Sequence, residues 1–260
     1  MTENRLGQQP LKSLLLTMCS QTTFSLILYS MYGLTDAFYV SRGVGGYASA
    51  AVGVFSPVTV LIGGITTTVG SGTGSVLSRK LGAKEKEKAA DAVGCMFFLW
   101  LICAGLVTLA GLGLFEPLVR LLGASGQILP YIRDYGRILL AGTIISTGFS
   151  GVMRANGDIS YSTLQWSLPV LLNMVLDPLF IYVFHMGISG AALATLASQA
   201  VSMLTSLYYF FIRKKTPCRI SLRHIRFHRA LAGEIVSVGL PSFLNNLGSS
   251  FITVSYTHLR

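Results

Sequence analysis

Among its charged residues, acid is what this sequence has least of: ten Asp and Glu stand against twenty Lys and Arg in 260 residues. Charge of both signs reaches only 12%, where soluble domains carry about 25%, and that shortage excludes an ordinary water-facing surface. Short alternating strands are missing too, which excludes a transmembrane β-barrel. Cysteine is sparse. Cys19, Cys95, Cys103 and Cys218 are scattered with no metal-ligand pairing, and they read as reduced packing residues with no disulfide. No nucleophile–base set is visible: His185, His224, His228 and His258 fall at loop positions or at the chain end, so an enzyme is not expected. The opening stretch "MTENRLGQQPLKS" carries Glu3 and lacks a small-residue cleavage site, so the first apolar run reads as a retained span and not as a signal peptide.

What is there is apolar. Hydrophobic residues make up 52% and the mean hydropathy is +0.61. A helix needs roughly 20 apolar residues to cross the hydrocarbon layer of about 30 Å. Runs of that length predict spans near 14–38, 48–72, 89–112, 131–151, 161–184 and 190–212, and a seventh from about 231 in which the chain stops. The fold class is therefore an all-α, multi-pass membrane protein, with a six-helix lobe at 1–215, a linker at 216–230 and one further helix at 231–260.

The formal net charge of +10 would suggest nucleic acid as the partner of a soluble protein. Here the basic residues sit in short loops between apolar runs, so membrane lipid is expected instead. Arg5 and Lys12 precede the first span. Arg79, Lys80, Lys84, Lys86 and Lys88 lie between the second and third, Arg154 between the fourth and fifth, and the run "RKKTPCRISLRHIRFHR" (213–229) between the sixth and seventh. The opposite loops hold Arg42 and Arg120, with Arg133 and Arg137 at the start of span four. The positive-inside rule then places the N-terminus in the cytoplasm. That rule also accounts for 213–229, although such a run is able to bind anionic headgroups.

Against this background "LPVLLNMVLDPLFIYVF" (168–184) stands out, because it keeps Asn173 and Asp177 inside an apolar run. An Asp in a membrane span costs about 2.5–3.5 kcal/mol on insertion scales, so it is expected to have a partner or a task. At about 1.5 Å per residue, Asp177 lies about 24 Å from the inner face, and Asn173 lies one turn deeper on the same helix face. Span six runs inward, with Thr195 roughly 8 Å below the outer face and Gln199 a turn deeper. Asp36 of span one arrives at a similar level. Asp36, Asn173, Asp177 and Thr195 are therefore expected to share one outer-half layer, and Gln199 reads as packing. Two neighbouring carboxylates do not both stay ionised without a counterion. The oxygen-rich donor set suits a proton or Na⁺ and suits a soft metal poorly.

Two breakers punctuate the spans. The glycine-dense "GGITTTVGSGTGS" (63–75) reads first as tight helix packing, with a hinge or broken helix as the alternative. Pro57, Pro169 and Pro178 each remove a backbone donor, and the last two flank the polar site of span five, where they are expected to bend the helix.

Four segments, in order, resemble those of multidrug and toxic compound extrusion (MATE) transporters: "YGLTDAFYVSRGVGGYASAAVGVFSPV", "SVLSRKLGAKEKEKAADAV", "GVMRANGDISYSTLQWSLPVLLNMVLDPLFIY" and "MGISGAALATLASQAVS". The likeness covers roughly residues 10–215. It implies the first lobe of a twelve-helix fold built of two six-helix halves, with "IVSVGLPSFLNNLGSSFI" (235–252) resembling the start of the second lobe. "TVSYTHLR" does not continue that apolar helix, which suggests a truncated or out-of-frame terminus with the C-terminal lobe missing; the alternative is a half-transporter that dimerises.

The resemblance also implies function: an inner-membrane antiporter that exports amphipathic or cationic drug-like compounds against H⁺ or Na⁺, with no cofactor beyond the coupling ion. It makes Asp36, Asn173, Asp177 and Thr195 the cation site. One departure is that span one reads "TMCSQTTF" where family members often carry a proline, which puts a proline-bending mechanism in doubt here. Two other readings stay open. One is a flippase for lipid-linked oligosaccharides in the same superfamily, which would prefer a cationic cavity. The other is a membrane receptor or enzyme.

Overall fold

The structure is a computed structural model, and it describes residues 11–124, 126–213 and 224–258. Arg5 and most of the basic run 213–229, with Cys218, lie outside the described residues, as does the greater part of the expected linker.

The described residues are helical, without strands. In chain order they form α1 (Leu11–Gly43), α2 (Gly46–Gly82), α3 (Lys86–Gly113), α4 (Phe115–Leu121), α5 (Leu129–Ala141), α6 (Ser150–Ala155), α7 (Ile159–Pro178), α8 (Gly187–Leu207) and α9 (Arg229–His258). A π turn extends α7 over Leu179–Val183 and another extends α8 over Tyr208–Ile212. Among the described residues, five helices are long and apolar enough to cross a membrane: α2, α3, α7 and α8 with their π turns, and α9 as far as Ile252. Gly126–Ala141 and Thr143–Ala155 together make a sixth if the pair is one span, bent by 45°.

Three sequence expectations need correction. Span four, expected as one helix over 131–151, is broken between α5 and α6. The chain leaves helical geometry at Ser146, whose ψ is 116°, and its freed carbonyl accepts the Trp100 indole N–H at 2.9 Å. The break lets Gly148 approach the Thr66 carbonyl and Gly70 approach the Gly148 carbonyl, at distances that leave no room for a side chain on either glycine. The glycine run at 63–75, by contrast, is uninterrupted helix within α2, so the packing reading holds there and the break lies elsewhere.

The second correction concerns α1. At 33 residues it is long enough to span, yet it is absent from the apolar set. Its polar residues go round the helix, with Ser20, Gln21, Thr22 and Thr23 in succession, and some of them line the cavity described below. The third is the tail: the apolar span ends at Ile252, as expected, but the backbone stays helical through His258.

Two hydrophobic clusters hold the bundle, one toward each end. The first joins the second half of α2 to α3, α6 and the end of α8, around Leu77, Met96, Phe97, Trp100, Phe149 and Phe210. The second joins the first half of α2 to α4, α5 and the start of α8, around Phe55, Phe115, Ile132, Leu140 and Ile188. Between them α2 presents Thr59, Gly63, Thr66 and Thr67 to an open cavity. Helix α9 lies along α2 more extensively than any other pair of elements packs. The contact is close because Gly72 faces the Ile235 carbonyl and Gly239 faces the Thr68 carbonyl. Hydrogen bonds stud the seam: the Ser71 and Ser242 hydroxyls lie 3.1 Å apart, and Ser250 donates to the Pro57 carbonyl at 3.3 Å. Arg79 and Glu234 close one end at 3.1 Å.

Candidate functional site

α1, α7 and α8 converge where α1 and α7 end and α8 begins. Asp177 is fully buried, and Asn173, one turn earlier on α7, is buried with it. The Asn173 amide Nδ2 donates to Asp177 Oδ1 at 3.1 Å and to Thr195 Oγ1 of α8 at 3.4 Å. The Asp36 carboxyl of α1 lies beside the Asp177 carboxyl, near enough for the two charges to interact. Tyr32, one turn before Asp36, lines the same cavity as Thr195. The structure therefore brings Asp36, Asn173, Asp177 and Thr195 into one connected cluster, as the helix-depth argument anticipated.

Two carboxyl groups at this distance need something positive between them, either a shared proton or a bound cation. The cluster has room for it in the sense that matters chemically. Asn173 Oδ1 and Asp177 Oδ2 are both buried and accept no hydrogen bond from any described residue. An acceptor oxygen left in that condition costs roughly 1–3 kcal/mol. The donor set is oxygen throughout, apart from the amide nitrogen that already serves Asp177. A proton or a hard cation of single charge fits it. Among the described residues, no group of three or more His, Cys, Asp or Glu side chains is placed to hold a metal ion.

The cluster opens onto a cavity of about 660 Å³, with Asp36, Asn173 and Thr195 in its wall. Three features of this cavity went unread in the sequence. The first is a polar stripe on α1. Thr22, Ser25, Tyr29, Tyr32 and Asp36 all line it, and their spacings of 3, 4, 3 and 4 put them on one helix face. That stripe follows the helical period and is legible in the spacing. The second is Gln199, read as packing, which also lines the wall. The third is Arg154, counted with the loop anchors, which instead lines the cavity from α6.

A second polar cluster borders the same cavity two turns and more before Asn173 on α7. The buried Gln165 amide donates to the Ser202 carbonyl at 2.7 Å and to the Ser206 hydroxyl at 2.6 Å, while its oxygen accepts from Thr205 at 2.9 Å. It is well satisfied and ties α7 to α8. Beside it, the Trp166 indole N–H donates to Ser150 Oγ at 2.7 Å, and Ser162 donates to the Ser150 carbonyl at 2.9 Å. These bonds seat α6 on α7.

Comparison with known proteins gives a consistent picture. The family model described as MatE matches residues 22–179. The chain is 27% identical over 221 residues to a multidrug export protein MepA of Staphylococcus haemolyticus, covering 84% of this chain and 49% of that one. It is 29% identical over 246 residues to a FAD transporter of Shewanella oneidensis, covering 92% and 54%. Among solved structures, one described as the outward-facing conformation of a multidrug resistance MATE family transporter superimposes with a TM-score of 0.89 at 34% identity, covering 96% of this chain and 56% of that one. The chain thus spans about half the length of the curated relatives it matches.

Proposed function

This chain belongs to the MatE family of multi-pass membrane transporters, and on that premise we propose that it forms the ion-coupled half of a secondary antiporter. The antiporter exports amphipathic, drug-like compounds from the cytoplasm across a bacterial inner membrane in exchange for H⁺ or Na⁺. The observation that carries this reading is the cluster of Asp36, Asn173, Asp177 and Thr195 from three helices, whose Asp36, Asn173 and Thr195 line a cavity of drug-ligand size.

The physical logic is a charge balance. With the pair empty, two buried carboxylates repel across the α1–α7 contact. A proton or a monovalent cation between them removes that repulsion, and Asn173 and Thr195 supply the remaining polar contacts. A ligand biases a conformational equilibrium only through its differential affinity for the two states. Drawing α1 onto α7 when the site is filled, and releasing it when the site is empty, supplies that difference. Because α1 also lines the cavity with Thr22, Ser25, Tyr29 and Tyr32, its position changes the solute's surroundings at the same time. In the proposed cycle this half and a second one rock about the cavity. The N-terminus lies inside, on the side of Arg79, Lys80, Lys84, Lys86 and Lys88.

The test is accumulation of a fluorescent cationic dye in everted vesicles, with the second half of a family relative co-expressed and ΔpH or ΔNa⁺ imposed in turn. Coupled accumulation under one of the two gradients is expected. Accumulation that follows neither gradient would overturn the antiporter reading.

A further inference from the structure

We infer that the cavity is bipolar, and that Arg154 with the Tyr29–Trp166 pair binds an aromatic solute bearing a phosphate or carboxylate. This rests on the reading of the chain as a transporter whose cavity holds its solute, and it specifies the chemistry of that solute.

Arg154 is the starting point. Arg79, Arg133, Arg137 and Arg213 each pair with a carboxylate, whereas the Arg154 guanidinium forms no ion pair or hydrogen bond with any described residue. It is nonetheless half-buried and lines the cavity. A guanidinium presents planar donors that match a phosphate or carboxylate with two parallel hydrogen bonds. Left without a protein carboxylate, it is a receiver for one brought by a ligand.

Two aromatic rings line the same cavity. Ser150 lies one helical turn from Arg154 on α6, and it accepts the Trp166 indole N–H. Trp166 meets Tyr29 of α1 edge to face, with centroids 5.9 Å apart and planes at 83°. Both rings line the cavity and keep about half their surface open, at 42% for Trp166 and 52% for Tyr29. The Ser150 bond holds Trp166 in place, so a planar ring system meets a pre-set surface.

The acid cluster lies at the other end. Trp166 and Asn173 are seven residues apart on α7, or about 10 Å. A solute that fills the cavity therefore spans from an anion-receiving end at Arg154 to the ion-coupling end at Asp36. A plain organic cation uses only the second of these and competes there with the coupling ion. An aromatic phosphate or carboxylate, with or without a cationic group at its far end, uses both.

The chain offers its own reporter. It has two tryptophans. Trp100 is buried with its indole N–H on the Ser146 carbonyl, so in a Trp100→Phe background the emission comes from Trp166 alone. Riboflavin and riboflavin 5′-phosphate share one ring system and differ by the phosphate. Titrated against the protein in nanodiscs of zwitterionic lipid, without any ion gradient, both are expected to quench Trp166. The phosphate ester is expected to do so at a roughly tenfold lower concentration or less. Arg154→Gln should bring the two to equal half-saturation with riboflavin unchanged, and Arg154→Lys should keep part of the preference, which guards against misfolding. Equal half-saturation in the protein with Arg154 intact, or a preference that survives Arg154→Gln, would overturn the inference. So would loss of the preference on adding phosphatidylglycerol, since that outcome assigns Arg154 to lipid headgroups. Because no gradient enters, failure here leaves ion-coupled export standing, and failure of coupled export leaves this ratio measurable.

Discussion

Asn173 donates its side-chain amide to Asp177, one turn further along the same helix, at 3.1 Å, and the same nitrogen reaches Thr195 on the neighbouring helix at 3.4 Å. One amide thus holds the deeper carboxylate in orientation and fastens α7 to α8 at the level where Asp36 arrives from α1. Asn173→Ala keeps both acids but removes this orienting donor. A hydrogen bond to a charged group is worth about 1.5–3 kcal/mol, so the ion concentration for half-maximal coupling should rise by roughly 10- to 100-fold. Coupled flux titrated with Na⁺ or against pH measures it, and an unchanged midpoint would show that Asn173 merely packs.

The Gln165 cluster is structural by the same kind of accounting. Its amide satisfies Ser202, Ser206 and Thr205 at once, yet the last two also bond the Ser202 carbonyl of their own helix, at 3.0 and 2.9 Å. Gln165→Leu should therefore lower stability by only about 1–2 kcal/mol, visible as a drop in Tm in detergent, with ion coupling retained. Loss of coupling at unchanged Tm would instead make Gln165 part of the transport path.

Glu116 controls the turn between α4 and α5. Arg133 grips its carboxylate with two hydrogen bonds, at 2.9 and 2.8 Å, and Arg137 stands 3.6 Å away. The Arg133 bond holds the Glu116 carboxyl below its usual 4.5. A depressed folded value means that the clamp is complete above about pH 4.5 and is lost as pH falls through the lower value. Amide exchange across Phe115–Leu121 should quicken in that acid window, and Glu116→Gln should exchange quickly already at neutral pH. Equal protection in the variant at neutral pH would contradict the clamp.

The α2–α9 seam makes a geometric prediction. Ser71 and Ser242, with hydroxyls 3.1 Å apart, should form a disulfide when both are replaced by Cys and oxidised. Gly72→Leu in that background should abolish the cross-link, because Gly72 faces the Ile235 backbone with no room for a side chain. A cross-link that forms equally well in the Gly72→Leu protein would mean that α9 does not lie against α2 through its glycines. A gel shift reads both outcomes.

The sequence made most of the long helices and the meeting of Asp36, Asn173, Asp177 and Thr195 readable, because rise per residue and the 3.6-residue period fix depth and face together. It was less informative where tertiary contacts override local pattern. At the break over 142–149, Gly148 and Gly70 press backbone to backbone, a tertiary contact that no local motif near Ser146 announces. Arg154 sits in a short basic segment that charge counting assigns to the membrane surface, and only the fold of α6 onto α7 turns it to the cavity. The stripe from Thr22 to Asp36 follows the spacing of one helix face, but the other polar residues of α1, such as Ser20, Gln21 and Thr23, mask it.

The central claim is that Asp36 and Asp177 together hold one small cation. Equilibrium binding of ²²Na⁺, with H⁺ release followed in the same samples, tests it directly on the purified chain in nanodiscs. One cation per chain is expected, taken up as Na⁺ or as a proton, and lost on either Asp36→Asn or Asp177→Asn while the variants insert and fold. Uptake of a cation that persists at full stoichiometry in either variant would contradict the shared site.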